Sequence, residues 1–265
     1  MEKTNKQTIL KTRGLSIGYR HKKVTSLITE NINIELKEGE LIGLVGANGI
    51  GKSTLLRTLS AIQMPLSGHI EINDIPLLKY TDLELSKQLS LVLTERLMSK
   101  NLSVYELVAL GRQPYTNWVG NLSKTDIHEV EKAIELTNLS DFKTRKCFEL
   151  SDGQFQKVLI ARALAQDTHL IILDEPTTHL DMYHKAYVLK LLQNLVKETN
   201  KTILFSSHEI DLAIQLCDTM LVMTNGNVVS DSPCNLIKQG VFETLFPKDL
   251  ISFDQHTGSF RVKNN

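Results

Sequence analysis

The chain has 265 residues, enough for one large α/β domain or two small ones. Its 30 basic and 30 acidic side chains cancel to a formal net charge of zero, which excludes the basic footprint of a dedicated nucleic-acid binder. A composition of 42% hydrophobic and 23% charged residues excludes disordered and collagen-like chains, and no run of about 18 apolar residues is present to cross a bilayer.

The opening MEKTNKQTIL lacks an apolar signal-peptide core, which predicts a chain that stays where it is made. Across the first forty residues apolar and polar positions alternate in pieces, as in Ile32, Ile34 and Leu36, the mark of half-buried antiparallel strands. Leu41 to Val45 is then a continuous apolar run, expected of a strand buried on both faces. A glycine-rich turn follows, and STLLRTLSAI reads as a helix. From about 96 to 165 the pattern is helical, with a capping-box start at Ser123 to Asp126 for a helix reaching about Thr137. A further helix is expected from near Gly153 through VLIARALA. LIIL at 170–173 and TILFS at 202–206 read as two more buried strands between helices, which predicts a mostly parallel sheet covered by helices. After Gly226 polar and turn residues dominate, and SDSPCNLIKQG is compatible with one short helix. Cys147, Cys217 and Cys234 are odd in number, widely spaced and in no CxxC pair, so they read as thiols of a reducing compartment.

Gly46 to Ser53, GANGIGKS, is a full GxxxxGK(S/T) match, with a predicted strand before it and a helix after it. Its glycines let successive backbone N–H groups turn inward on phosphate oxygens at a helix N-terminus. Lys52 can reach the β- and γ-phosphates of a nucleoside triphosphate, and Ser53 can bind Mg²⁺. The run Leu170 to Leu173 ends in Asp174 and Glu175, at the sheet edge where ligands of open α/β sheets bind. One carboxylate can hold the Mg²⁺ shell while the next orients or deprotonates a water; a solvated loop is the alternative. Ser151 and Gly153 precede a helix and form a second anion site, with Ser151 also suited to cap that helix.

LSDGQ at 150–154 resembles the LSGGQ signature of ATP-binding-cassette (ABC) ATPases, and it lies 23 residues before Asp174. The resemblance spans roughly residues 8–230 with five motifs in the family's order. It implies the ABC ATPase fold: a mostly parallel α/β core sheet flanked by helices, an N-terminal antiparallel β subdomain and a helical insertion. On that reading 1–95 and 166–230 form the nucleotide-binding core, 96–165 the helical signature subdomain, and 231–265 a tail of unassigned role. It implies ATP and Mg²⁺ as ligands, with Tyr19 stacking on adenine and Gly46, Asn48, Gly49, Ile50, Gly51, Lys52, Ser53 and Thr54 around the phosphates. Ser53, Asp174 and Glu95 would attend the metal, Glu175 would activate water, and His208 would be the switch histidine at the γ-phosphate. Ser151, Gly153 and Gln154 would contact ATP held by a facing copy of the chain, and Asp181 would lie in the loop that communicates between the two copies.

Three positions depart from the family pattern: Glu95 (or Thr94, one place over) stands for the usual glutamine, Asp152 for the signature's first glycine, and Ile50 for a small P-loop residue. ELVALGRQPY at 106–115 resembles the coupling segment of importers for iron chelates, haem and cobalamin, whose groove receives a helix of the membrane permease. It implies a peripheral subunit at the cytoplasmic face of the cell's inner membrane, working with permease subunits and indirectly with a substrate-binding protein. Arg112 and Tyr115 are expected to line the permease-facing surface, free of the core face formed by Val104, Leu107 and Val108. A soluble single-cassette ATPase of iron–sulfur assembly is the alternative.

Overall fold

The computed structural model describes residues 6–21, 24–93, 101–247, 249–255 and 257–263. Strands β1 (Thr8–His21), β2 (Val24–Ile32) and β3 (Glu35–Lys37) open an antiparallel sheet. The chain then enters a second sheet through β4 (Leu41–Gly46), turns into helix α1 (Lys52–Leu59), and returns to the first with β5 (Ser67–Ile72) and β6 (Ile75–Pro76). A short helix α2 (Asp82–Ser86) leads to β7 (Leu89–Val92) at the edge of the second sheet. Between β7 and the next strand lie α3 (Val104–Ala109), a 3₁₀ turn over Leu110–Tyr115, α4 (Lys124–Leu136) and α5 (Asp152–Ala165). The remaining elements are β8 (Leu170–Leu173), α6 (Met182–Thr199), β9 (Thr202–Ser207), α7 (Ile210–Leu216), β10 (Thr219–Thr224), β11 (Asn227–Asp231), α8 (Pro233–Lys238) and the hairpin β12 (Ile251–Asp254)–β13 (Ser259–Val262).

The second sheet runs β11-β10-β4-β9-β8-β7, parallel throughout except for the β10–β11 pair. Its inner strands are apolar on both faces because each face meets a different core. Leu41, Val45, Ile171, Leu173, Ile203 and Phe205 point into a cluster shared with α3 to α6. Ile42, Leu44, Leu170, Ile172 and Leu204 point into the cluster closed by α1 and the antiparallel sheet. The continuous apolar runs of the sequence are therefore strands between two layers. The helices between β7 and β8 start on side-chain caps, two of them, Ser123 and Ser151, expected from the sequence and the third, Ser103, not: each accepts a hydrogen bond from the backbone N–H three residues on.

The C-terminal residues are better ordered than their sequence pattern suggests. Ser232 caps α8 with Pro233 in its first turn, and Leu236 and Phe242 are completely buried. The hairpin packs against the same core: Phe253 stacks on Phe242 with ring centroids 5.2 Å apart, and Phe260 meets Phe246 edge-on at 5.1 Å.

Candidate functional site

The C-terminal ends of β4, β8 and β9 lie side by side, with Val45 opposite Ser207 and Leu173 opposite Phe205. This register gathers the loop after β4, the Asp174–Glu175 pair after β8 and His208 after β9 at one edge of the sheet. Gly51 ends the loop at φ 110°, a conformation open to glycine, and a Cβ there would collide with Ile28. A Cβ on Gly46 would stand 2.6 Å from the Met223 carbonyl oxygen. The two glycines are thus fixed by close approach of neighbouring chain.

A cavity of ≈ 340 Å³ opens over this loop, lined by Tyr19, Ile28, Asn48, Gly49, Gly51, Lys52, Ser53, Thr54, Glu175 and His208. Lys52 is only 5% exposed, and its Nζ donates to the carbonyls of Gly46 (3.0 Å) and Ala47 (3.2 Å). Burial lowers its affinity for a proton, partly offset by the carboxylates of Glu175 and Asp174. Asp174 is buried beneath: its Oδ1 accepts from Ser53 Oγ at 3.1 Å and from Ser206 Oγ at 2.7 Å. The Ser206 hydroxyl also accepts from the Glu175 backbone N–H at 2.8 Å, so one serine locks both acidic residues to β9. Glu175 sits at φ 50°, uncommon for a residue with a Cβ, with its carboxylate held by Thr178 Oγ1 (3.0 Å) and His208 Nε2 (2.5 Å). The other ring nitrogen of His208 is 3.4 Å from Lys52 Nζ. Tyr19, 51% exposed at the rim, shares a hydrogen bond between its hydroxyl and Thr54 Oγ1 at 2.9 Å.

The Ser53 hydroxyl and the Asp174 carboxylate are oxygen donors in direct contact, the chemistry that suits Mg²⁺, which binds through one or two protein oxygens together with phosphate and water. Among the described residues no cluster of three or more His, Cys, Asp or Glu forms a protein-only metal cage.

Not every expected residue converges on this cavity. Ser151, Gly153 and Gln154 form the N-terminal turn of α5 and are absent from its lining. Ser151 Oγ accepts from Gln154 N–H at 3.3 Å and Gln154 Oε1 accepts from Ser151 N–H at 3.0 Å, a reciprocal cap. Asp181 caps α6 and is exposed. Glu95 and Thr94 lie outside the described residues. Arg112 corrects an expectation: it is 4% exposed, with Nε donating to Asp126 Oδ1 (2.9 Å) and Nη1 to the Ala165 carbonyl at the end of α5 (2.8 Å). The 3₁₀ turn rotates Arg112 inward, where it ties α4 to α5 and stacks its guanidinium 4.0 Å from the Tyr115 ring centroid. Tyr115 stays partly exposed. Ile28 and Ser206 were not foreseen: both act through contacts between distant strands, and nothing local marks them.

Across this arrangement the ABC transporter family model matches residues 29–178, more than half of the chain. The chain belongs to the ABC transporter family. It is 36% identical to an uncharacterised ABC transporter ATP-binding protein of Methanocaldococcus jannaschii, over 97% of this chain and 88% of the relative. It is also 36% identical to the iron(3+)-hydroxamate import ATP-binding protein FhuC of Bacillus subtilis, over 84% of this chain and 81% of that one. Among solved structures it is similar to one described as an inward-facing ABC transporter of metal-chelate type, with a TM-score of 0.78, 28% identity and 96% of each chain covered. The site is therefore that of an ATP-binding cassette that hydrolyses ATP.

Proposed function

We propose that this chain powers uptake of a metal chelate, as one of two identical ATPase subunits bound to a membrane permease at the cytoplasmic face. The observation that carries the reading is the division of the site. The cavity brings together a phosphate cradle, a cation and a Glu175–His208 pair, while Ser151 and Gly153, at the start of α5, are absent from its lining. Head-to-tail pairing of two copies completes each cavity with the other's α5 N-terminus, a closed two-fold arrangement. The cargo class is supported by the iron(3+)-hydroxamate importer and by the structure of metal-chelate type.

In this mechanism Tyr19 stacks on the adenine, and the backbone from Gly46 to Thr54 receives the phosphates. Lys52 turns its ammonium from the Gly46 and Ala47 carbonyls toward the β- and γ-phosphates. Ser53 and Asp174 would hold Mg²⁺, which supplies charge neutralisation for the triphosphate. Glu175 accepts the proton of the attacking water as the water oxygen bonds to the γ-phosphorus and the bond to the ADP oxygen breaks. His208 holds the Glu175 carboxylate in place and faces the γ-phosphate position. Tyr115 is assigned to the permease-facing side, and Arg112 is reassigned to holding that side together from within.

The test is reconstitution with a candidate permease and binding protein in lipid vesicles, followed by uptake of a ferric hydroxamate. MgATP-dependent uptake that Lys52→Ala abolishes is expected. A chain that fails to bind the permease and supports no uptake overturns the importer reading in favour of iron–sulfur assembly.

A further inference from the structure

The first turn of α6 carries two neighbouring side chains that no step above uses. His184 leans on the signature turn: its Cδ2 lies 3.0 Å from where a Cβ on Gly153 would stand, so the ring fills the space that this glycine leaves open. Its Nδ1 donates to both carboxylate oxygens of Asp181, at 2.8 and 2.9 Å, and the same carboxylate caps α6 through the His184 backbone N–H. Lys185, one residue on, forms an ion pair with Glu209 at 2.5 Å, and both side chains are only about a quarter exposed. Glu209 is the N-cap of α7 and directly follows His208, with its N–H bound to Ser207 Oγ at 2.9 Å. The ion pair borders a second, ≈ 190 Å³ cavity, and Glu175 and His208 form the wall between that cavity and the nucleotide cavity.

We infer that His184 and Lys185 are positioning residues that join the signature turn of a subunit to the switch histidine of the same subunit. One turn of helix holds both contacts, so a shift of the signature turn on its neighbour's nucleotide moves the anchor of Glu209 and with it His208. In a head-to-tail pair the signature serves one ATP and His208 the other, so this turn carries coupling between the two sites. The inference rests on the homodimer proposed above. It adds a route through Lys185–Glu209 that neither the P-loop nor the Asp181 loop provides.

The purified full-length chain is titrated with ATP, and kcat, KM and the Hill slope are read. Lys185→Gln is expected to lower kcat about tenfold with KM within about twofold, and to bring the Hill slope from above one toward one. The exchanged pair, Lys185→Glu with Glu209→Lys, should recover kcat to within about threefold, because it restores the link rather than either charge. His184→Ala should flatten the Hill slope in the same way. Wild-type kinetics in Lys185→Gln, an exchanged pair as defective as the single variant, or an unchanged slope in His184→Ala would each overturn the link. Sedimentation of Glu175→Gln with ATP separates the two readings. A monomer there removes the dimer and the coupling with it, whereas a dimer combined with any of the three failures removes the coupling alone.

Discussion

At the scale of single residues the site works by restraint. Glu175 is held at a positive φ while three partners fix it: Ser206 at its N–H, and Thr178 and His208 at its carboxylate. Such strain costs about 1–3 kcal/mol and persists where the surroundings over-determine it. Glu175→Gln keeps these contacts but cannot take a proton, so ATP turnover should fall about 10²–10⁴-fold while ATP still binds; near-normal turnover would remove its role as base. Lys52 donates to two carbonyls in a site whose burial already disfavours its charge, so Lys52→Ala should abolish tight MgATP binding by calorimetry and leave the melting temperature close to normal. Arg112 behaves in the opposite way. Its partner Asp126 also accepts from the N–H and hydroxyl of Ser123, the cap of α4, so Arg112→Glu leaves a buried carboxylate facing a second one. A loss of about 3–5 kcal/mol in urea unfolding is expected, and an unchanged midpoint would show that the pair bears no load. The phosphate loop was legible because its eight residues are contiguous and their chemistry is local. Arg112 was misread because one turn of 3₁₀ helix changes which face a residue takes, and helical spacing does not register that change.

At the scale of elements, sequence and structure agree where burial is periodic or continuous. The run from Leu41 to Val45 divides its side chains between two cores, and the two runs at 170–173 and 202–206 do the same. Beyond the short helix α8, which the sequence did suggest, the tail was not legible for a physical reason. Phe242, Phe246, Phe253 and Phe260 stand 4, 7 and 7 residues apart, a helical spacing, yet they sit on a 3₁₀ turn, the bend after it and the two strands of the hairpin, and they meet because that hairpin folds back over α7. That placement has a consequence, because α7 begins two residues after His208. Phe242→Ala removes a completely buried ring and should cost about 3–5 kcal/mol in chemical denaturation. A cost below about 1 kcal/mol would mean that the hairpin is an ornament on an independently stable core.

At the scale of the whole molecule one chain holds two half-sites, and the question is whether they meet in the same copy or across two. Among the described residues no helix is long and apolar enough to cross a membrane. If each cavity is completed by the other copy's α5 N-terminus, damage to the two half-sites must complement across chains. Lys52→Ala disables a cavity but keeps the signature turn; Ser151→Arg blocks the signature turn but keeps the cavity. The Ser151 change also removes a helix cap worth about 1 kcal/mol, which a stable cassette tolerates. Each variant alone should be nearly inactive. In a mixed dimer one composite site carries both lesions and the other carries neither, so mixing the two proteins should produce ATP turnover above the sum of the separate preparations. Coupling between sites lowers the recovered rate below that of an uncoupled half-active dimer but does not remove it. Chains in which cavity and signature serve the same nucleotide within one copy give no complementation at any mixing ratio, and that result would replace the head-to-tail pair with a self-contained site.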